Sequence, residues 1–131
     1  MRLSVDAIEA QPTEIKLHQV SRVLEISFDD GRTFRLPYEY LRVYTPSAEA
    51  LGHGPGQEVL QAGKEQVTIV EIKPIGNYGI APKFSDGHDS GIFTWELLYK
   101  LGEDQQELWA DYLHRLEQAG HRREAPGQGD Q

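Results

Sequence analysis

Cysteine is absent from the 131 residues, which excludes disulfides, zinc–thiolate sites, iron–sulfur ligation by this chain and cysteine nucleophiles. Basic residues are scarce: 13 Lys and Arg face 21 Asp and Glu, for a formal net charge of −8. That excess repels phosphate backbones, so nucleic acid is not an expected partner. Long apolar runs are also missing. The opening MRLSVDAIEAQPTE has no stretch fit for a signal peptide, and no segment approaches the roughly 20 apolar residues of a membrane span. The expectation is a soluble, cytoplasmic protein with no membrane partner. Hydrophobic residues are 38% of the chain, enough for one core with some sequence left outside it.

One domain is expected over residues 12–120, with a short extension over 1–11 and a disordered polar tail over 121–131. Leu3, Val5 and Ile8 alternate weakly, and Pro12 interrupts them. The stronger β pattern begins with Ile15 and Leu17, continues through Leu24, Ile26 and Phe28, and resumes at Phe34 and Leu36. Asp29-Asp30-Gly31 separates the last two runs, which is the signature of a hairpin. Pro37 presets a short helical piece through Arg42. Four glycines in LGHGPGQEVLQAG mark a loop. Val67 to Ile72 reads as a strand apolar on both faces and therefore central in its sheet. Gly76-Asn77 gives a turn before another strand with Tyr78 and Ile80. Leu108, Trp109, Tyr112, Leu113 and Leu116 recur at helical spacing. Strands first and helices last, without βαβ alternation, predict an α+β fold: a small antiparallel sheet with helices packed toward the C-terminal end.

The densest chemistry is Asp86-Gly87-His88-Asp89-Ser90. An imidazole between two carboxylates fits a metal site, with His88, Asp86 and Asp89 as ligands and His53 able to join them, or an oriented general base. The plainer reading is a turn, with Asp89 and Ser90 capping the helix that contains Trp95. His18, His114 and His121 read as exposed. No Gly-x-Ser-x-Gly elbow or Walker phosphate loop occurs, and Gly76-Asn77-Tyr78-Gly79 lacks the basic surroundings of an RNA clamp. Tyr38, Tyr40, Tyr44, Trp95, Tyr99, Trp109 and Tyr112 fit a core with an aromatic rim; exposure of Tyr40, Tyr44 or Trp109 would mark a protein-binding patch.

Leu24 to Phe28 with Asp30-Gly31, Leu36-Pro37, Leu41-Arg42, Gly79 and then Phe84-x-Asp86-Gly87-His88-x-Ser90-Gly91-Ile92-Phe93-x-Trp95-x-x-Leu98 resemble the DUF971 family, the γ-butyrobetaine hydroxylase-like N-terminal domain. The resemblance spans roughly residues 12 to 102. It implies a β-rich module found alone in bacteria, ahead of 2-oxoglutarate-dependent hydroxylase domains, or fused to Mrp-type P-loop iron–sulfur cluster carriers. In the hydroxylases the module holds zinc through three cysteines and one histidine and contributes to dimerisation. By position the histidine is His88, while the cysteine places carry Thr45, Ser47 and Ala50, poor or absent zinc ligands. No resident cofactor is therefore expected, and Ser47 to Leu51 should form a helical turn in place of a metal loop.

The expectation is a non-enzymatic accessory module that docks another protein, by resemblance an iron–sulfur cluster carrier or an oxygenase, through Tyr40, Arg42, Tyr44, His88 and Trp95. A homodimer fits the same resemblance. The alternative is binding of iron, zinc or another divalent ion at the His88 loop, and a His88-based hydrolase or isomerase ranks below both.

Overall fold

The computed structural model describes residues 10–46 and 60–123. The weak Leu3–Ile8 alternation, His53 and the Ser47–Leu51 turn lie outside the described residues. Among the described residues two three-stranded antiparallel sheets form. The first contains β1 (Pro12–His18), β2 (Val23–Phe28) and β3 (Thr33–Pro37), and α1 (Tyr38–Val43) follows it. The second contains β4 (Ile69–Ile75), β5 (Gly79–Phe84) and the short β6 (Phe93–Thr94), leading into α2 (Trp95–Glu103) and α3 (Gln105–Gln118). This is an α+β protein, with the expected antiparallel pairing divided between two sheets.

Period-two patterning explains the first sheet. Leu24, Ile26 and Phe28 alternate inward along β2, and Leu24 opposes Leu36 while Ile26 opposes Phe34 across the hairpin. Side chains on one face of a pleated strand point the same way, so one register buries all of them together. Gly31, at φ 91°, supplies the backbone conformation that the turn requires.

The second sheet corrects one expectation. Among the described residues β4 lies at an edge, beside a central β5. A register shift between Ile69 and Glu71 breaks its alternation, and Val70 is left exposed. Pro74 is tolerated there because an edge strand can spare an N–H. Tyr78 falls in the β4–β5 turn, where its N–H donates to the Ile75 carbonyl.

One cluster of buried side chains spans both sheets, α1 and α2, with Leu36, Tyr40, Leu41, Ile69, Phe93 and Leu98 all fully enclosed. Gln19 links the sheets: its amide donates to the Ile69 carbonyl at 3.0 Å and its oxygen accepts from Tyr38 and Thr68 hydroxyls. A smaller cluster of Val43, Tyr112 and Leu116 seats α3, while Leu113 on the same helix faces out. Three tyrosine hydroxyls fasten these elements by donating to carbonyls: Tyr40 to Leu101 at 2.7 Å, Tyr44 to Leu108 at 2.8 Å and Tyr112 to Gln61 at 2.6 Å. Burial pushes the phenols of Tyr40 and Tyr112 well above their ordinary range, so they remain donors. Arg123, in the stretch expected to stay outside the core, makes a bidentate pair with the buried Glu39 carboxylate at 2.6 and 2.8 Å and lies over the Trp109 ring.

Candidate functional site

Two segments far apart in sequence build the candidate site. α1 carries Arg42 in its last turn and is capped at Tyr44, which places Thr45 directly after the cap. β5 ends at Phe84, and the chain turns through Ser85-Asp86-Gly87-His88. In that turn the Phe84 N–H donates to the His88 carbonyl at 2.9 Å and the Gly87 N–H to the Phe84 carbonyl at 3.0 Å. Gly87 sits at φ 94°, a conformation that strains any residue with a Cβ. One Asp86 oxygen accepts from the His88 backbone N–H at 3.2 Å, which leaves the other to face α1.

That second oxygen, Oδ2, takes two cations. Arg42 Nε lies 2.9 Å from it and Lys64 Nζ 2.7 Å. Burial of the Asp86 carboxyl pushes its pKa up, but the hydrogen bonds from Lys64, the His88 N–H and Arg42, with the Arg42 charge, prevail and hold it at about 2. Asp86 is thus a committed counter-ion at neutral pH. Beside it, His88 Nε2 and Thr45 Oγ1 are 3.1 Å apart, with His88 8% and Thr45 2% exposed. Gly91 packs onto Thr45: a Cβ at Gly91 would overlap the Thr45 Oγ1 atom.

The sequence-based candidates separate accordingly. Asp86, His88, Arg42 and Thr45 come together. Asp89 is exposed, and it does not cap the following helix; Thr94 does, its hydroxyl accepting from the Leu97 N–H at 3.1 Å. Among the described residues no three His, Asp or Glu side chains gather as a metal site would require. The Thr45–His88 pair has the spacing of a hydroxyl and a base, but both partners are enclosed. A recess of about 260 Å³ lies elsewhere, against Gly63, Leu116 and Arg122. Of the expected docking residues, Tyr40 is entirely buried and cannot touch a partner. Tyr44 and Trp95 are half-buried, and Trp95 fixes the β4–β5 turn by donating its ring N–H to the Asn77 carbonyl at 2.8 Å and its backbone N–H to that of Tyr78 at 3.0 Å. His18 is paired with Glu25 at 2.8 Å rather than free in solvent.

Sequence reasoning missed Lys64. It also missed that Phe28-Asp29-Asp30-Gly31-Arg32 and Phe84-Ser85-Asp86-Gly87-His88 are the same five-residue turn. In the first copy, too, Phe28 N–H meets the Arg32 carbonyl, Gly31 N–H meets the Phe28 carbonyl, and Asp30 Oδ1 accepts from the Arg32 N–H. The shared Phe-x-Asp-Gly string was the available signal.

Comparison with known proteins decides the family. The model described as gamma-butyrobetaine hydroxylase-like, N-terminal, matches residues 15–99. The chain belongs to this family. The DUF971 domain aligns with three solved structures. Two were determined by NMR in solution: one is 45% identical with a TM-score of 0.80, covering 95% of this chain and 92% of that one. The other is 43% identical with a TM-score of 0.76, covering 93% and 96%. The third is the 1.93 Å crystal structure of a DUF971 protein of unknown function from Acidithiobacillus ferrooxidans, 44% identical with a TM-score of 0.60 over 70% of this chain and 92% of that one. No curated protein matches the chain. Among the described residues no helix is long and apolar enough to cross a membrane.

Proposed function

We propose that this DUF971 domain is a non-enzymatic accessory module that docks another protein along the strand leading out of the His88 loop. The observation that carries this reading is the exposure of Ile92 and Tyr78, the first just ahead of the half-buried Trp95 in the chain and the second accepting the Trp95 backbone N–H at its carbonyl. Large apolar side chains left in the open beside a sheet supply contact energy at protein interfaces. The family resemblance supports an Mrp-type iron–sulfur cluster carrier or a 2-oxoglutarate oxygenase as the setting.

The metal-binding alternative is less favoured, because the Asp86 oxygen that would face an ion already holds Arg42 and Lys64. Cations in those places repel a divalent ion. Calorimetric titration of a purified Mrp-type carrier into the full chain tests the docking reading. Binding should weaken at least tenfold with Ile92→Asp or Tyr78→Ser, two surface changes that leave the core intact. Failure of the carrier to bind, or equal binding by both variants, would overturn it.

A further inference from the structure

Arg42 holds a donor that meets no acceptor among the described residues. Its side chain is 10% exposed, its Nε is bonded to Asp86, and its Nη1 is buried with no hydrogen-bond partner. Arg115 Nε is buried in a similar way but has the Asp111 carboxylate 3.1 Å away; Arg42 Nη1 has no such neighbour. A guanidinium nitrogen out of water and without an acceptor is costly, so this corner lacks an acceptor it is built to hold.

The charge balance points the same way. Two cations, Arg42 and Lys64, converge on the one carboxylate of Asp86, and one of its oxygens is partly spent on the His88 backbone N–H. These three side chains together therefore carry one surplus positive charge in a chain whose net charge is −8. Lys64 is 21% exposed, and its four-carbon stem can move without disturbing a strand or helix. It is the open side of the site, while Arg42, fixed in the last turn of α1, is the closed side.

We propose that the Arg42–Lys64 corner is a binding site for a single oxyanion, carboxylate or phosphate. The oxyanion bonds Arg42 Nη1 and shares Lys64 with Asp86. Charge-assisted bonds from a planar guanidinium and a mobile ammonium suit an oxygen-rich anion, and the site stands independently of any docking partner.

Titration of the ¹⁵N-labelled full chain at fixed ionic strength, with acetate in one arm, inorganic phosphate in another and chloride as the control, tests this. Saturable shifts at the Arg42 Nε–H and the backbone N–H groups of Lys64 and His88 are expected with acetate or phosphate, and none with chloride. The arm that saturates at the lower concentration identifies the anion. Lys64→Gln should weaken binding at least tenfold while the rest of its spectrum stays native, and Lys64→Arg should retain it. Shifts that stay linear with concentration, or that are equal in Lys64→Gln, mean an adventitious ion only and overturn the proposal.

Discussion

The same turn occurs twice, in two settings. Asp30 and Asp86 each sit in a Phe-x-Asp-Gly-x turn, with glycines at φ 91° and 94° and one carboxylate oxygen on the backbone N–H two residues ahead. They differ in the second oxygen. Asp30 Oδ2 accepts from the Tyr99 hydroxyl at 2.6 Å, where Arg32 also reaches Tyr99 and Glu103. Asp86 Oδ2 instead pairs with two cations from outside its own hairpin, Arg42 and Lys64. One backbone solution thus serves a surface hairpin and an ionic corner, and the partners, not the turn, decide which.

The largest effect expected from breaking this pairing is at the second aspartate. Asp86→Asn leaves the nearly enclosed Arg42 without a counter-ion and should cost about 2 kcal/mol, read from urea unfolding. Asp30→Asn should lower the midpoint by less, since its surroundings are open to water. If both variants unfold at the same urea concentration, the ionic corner is not special.

The glycines sharpen the comparison from the other side. Gly31→Ala and Gly87→Ala meet no neighbouring atom within 4 Å, so only backbone strain acts. Each should cost about 1–2 kcal/mol, and the two losses should agree closely. A clear inequality would mean that the turns differ in more than the fate of one oxygen.

A smaller effect is expected from acid. The Asp86 carboxyl is depressed from 3.8 to about 2. A group whose folded pKa is lowered stabilises the protein above its ordinary pKa and loses that contribution as pH falls through the folded value. Stability should therefore drop by about 1 kcal/mol between roughly pH 4 and 2, a figure reduced because the side chain keeps contact with water. That share of the acid loss should be missing in Asp86→Asn, while the share from Asp30 and Glu25, whose carboxyls are also lowered, remains, measured by urea unfolding across that range.

Much of the fold could be read from local pattern. Leu24, Ile26, Phe28, Phe34 and Leu36 announce their hairpin because burial on one face enforces period two. The edge position of β4 was hidden because Ile69, Val70 and Ile72 look alike in sequence, and only the register shift reveals which of them faces water. At the site, Asp86 and His88 stand out as neighbours in one string. Lys64 and Arg42 are 22 and 44 residues from Asp86, and no local periodicity encodes such a meeting. The same holds for Arg123, 84 residues from Glu39.

The proposal turns on Asp86 being spent as a counter-ion to Arg42 and Lys64, which leaves the His88 loop poorly suited to hold a metal ion. Metal content of the chain purified without chelator or nickel resin, followed by zinc and iron(II) titration monitored by NMR, tests it most directly. The account predicts far less than one metal per chain and no stoichiometric change in the His88 ring signals. One tightly bound metal per chain, lost in His88→Ala, would contradict it.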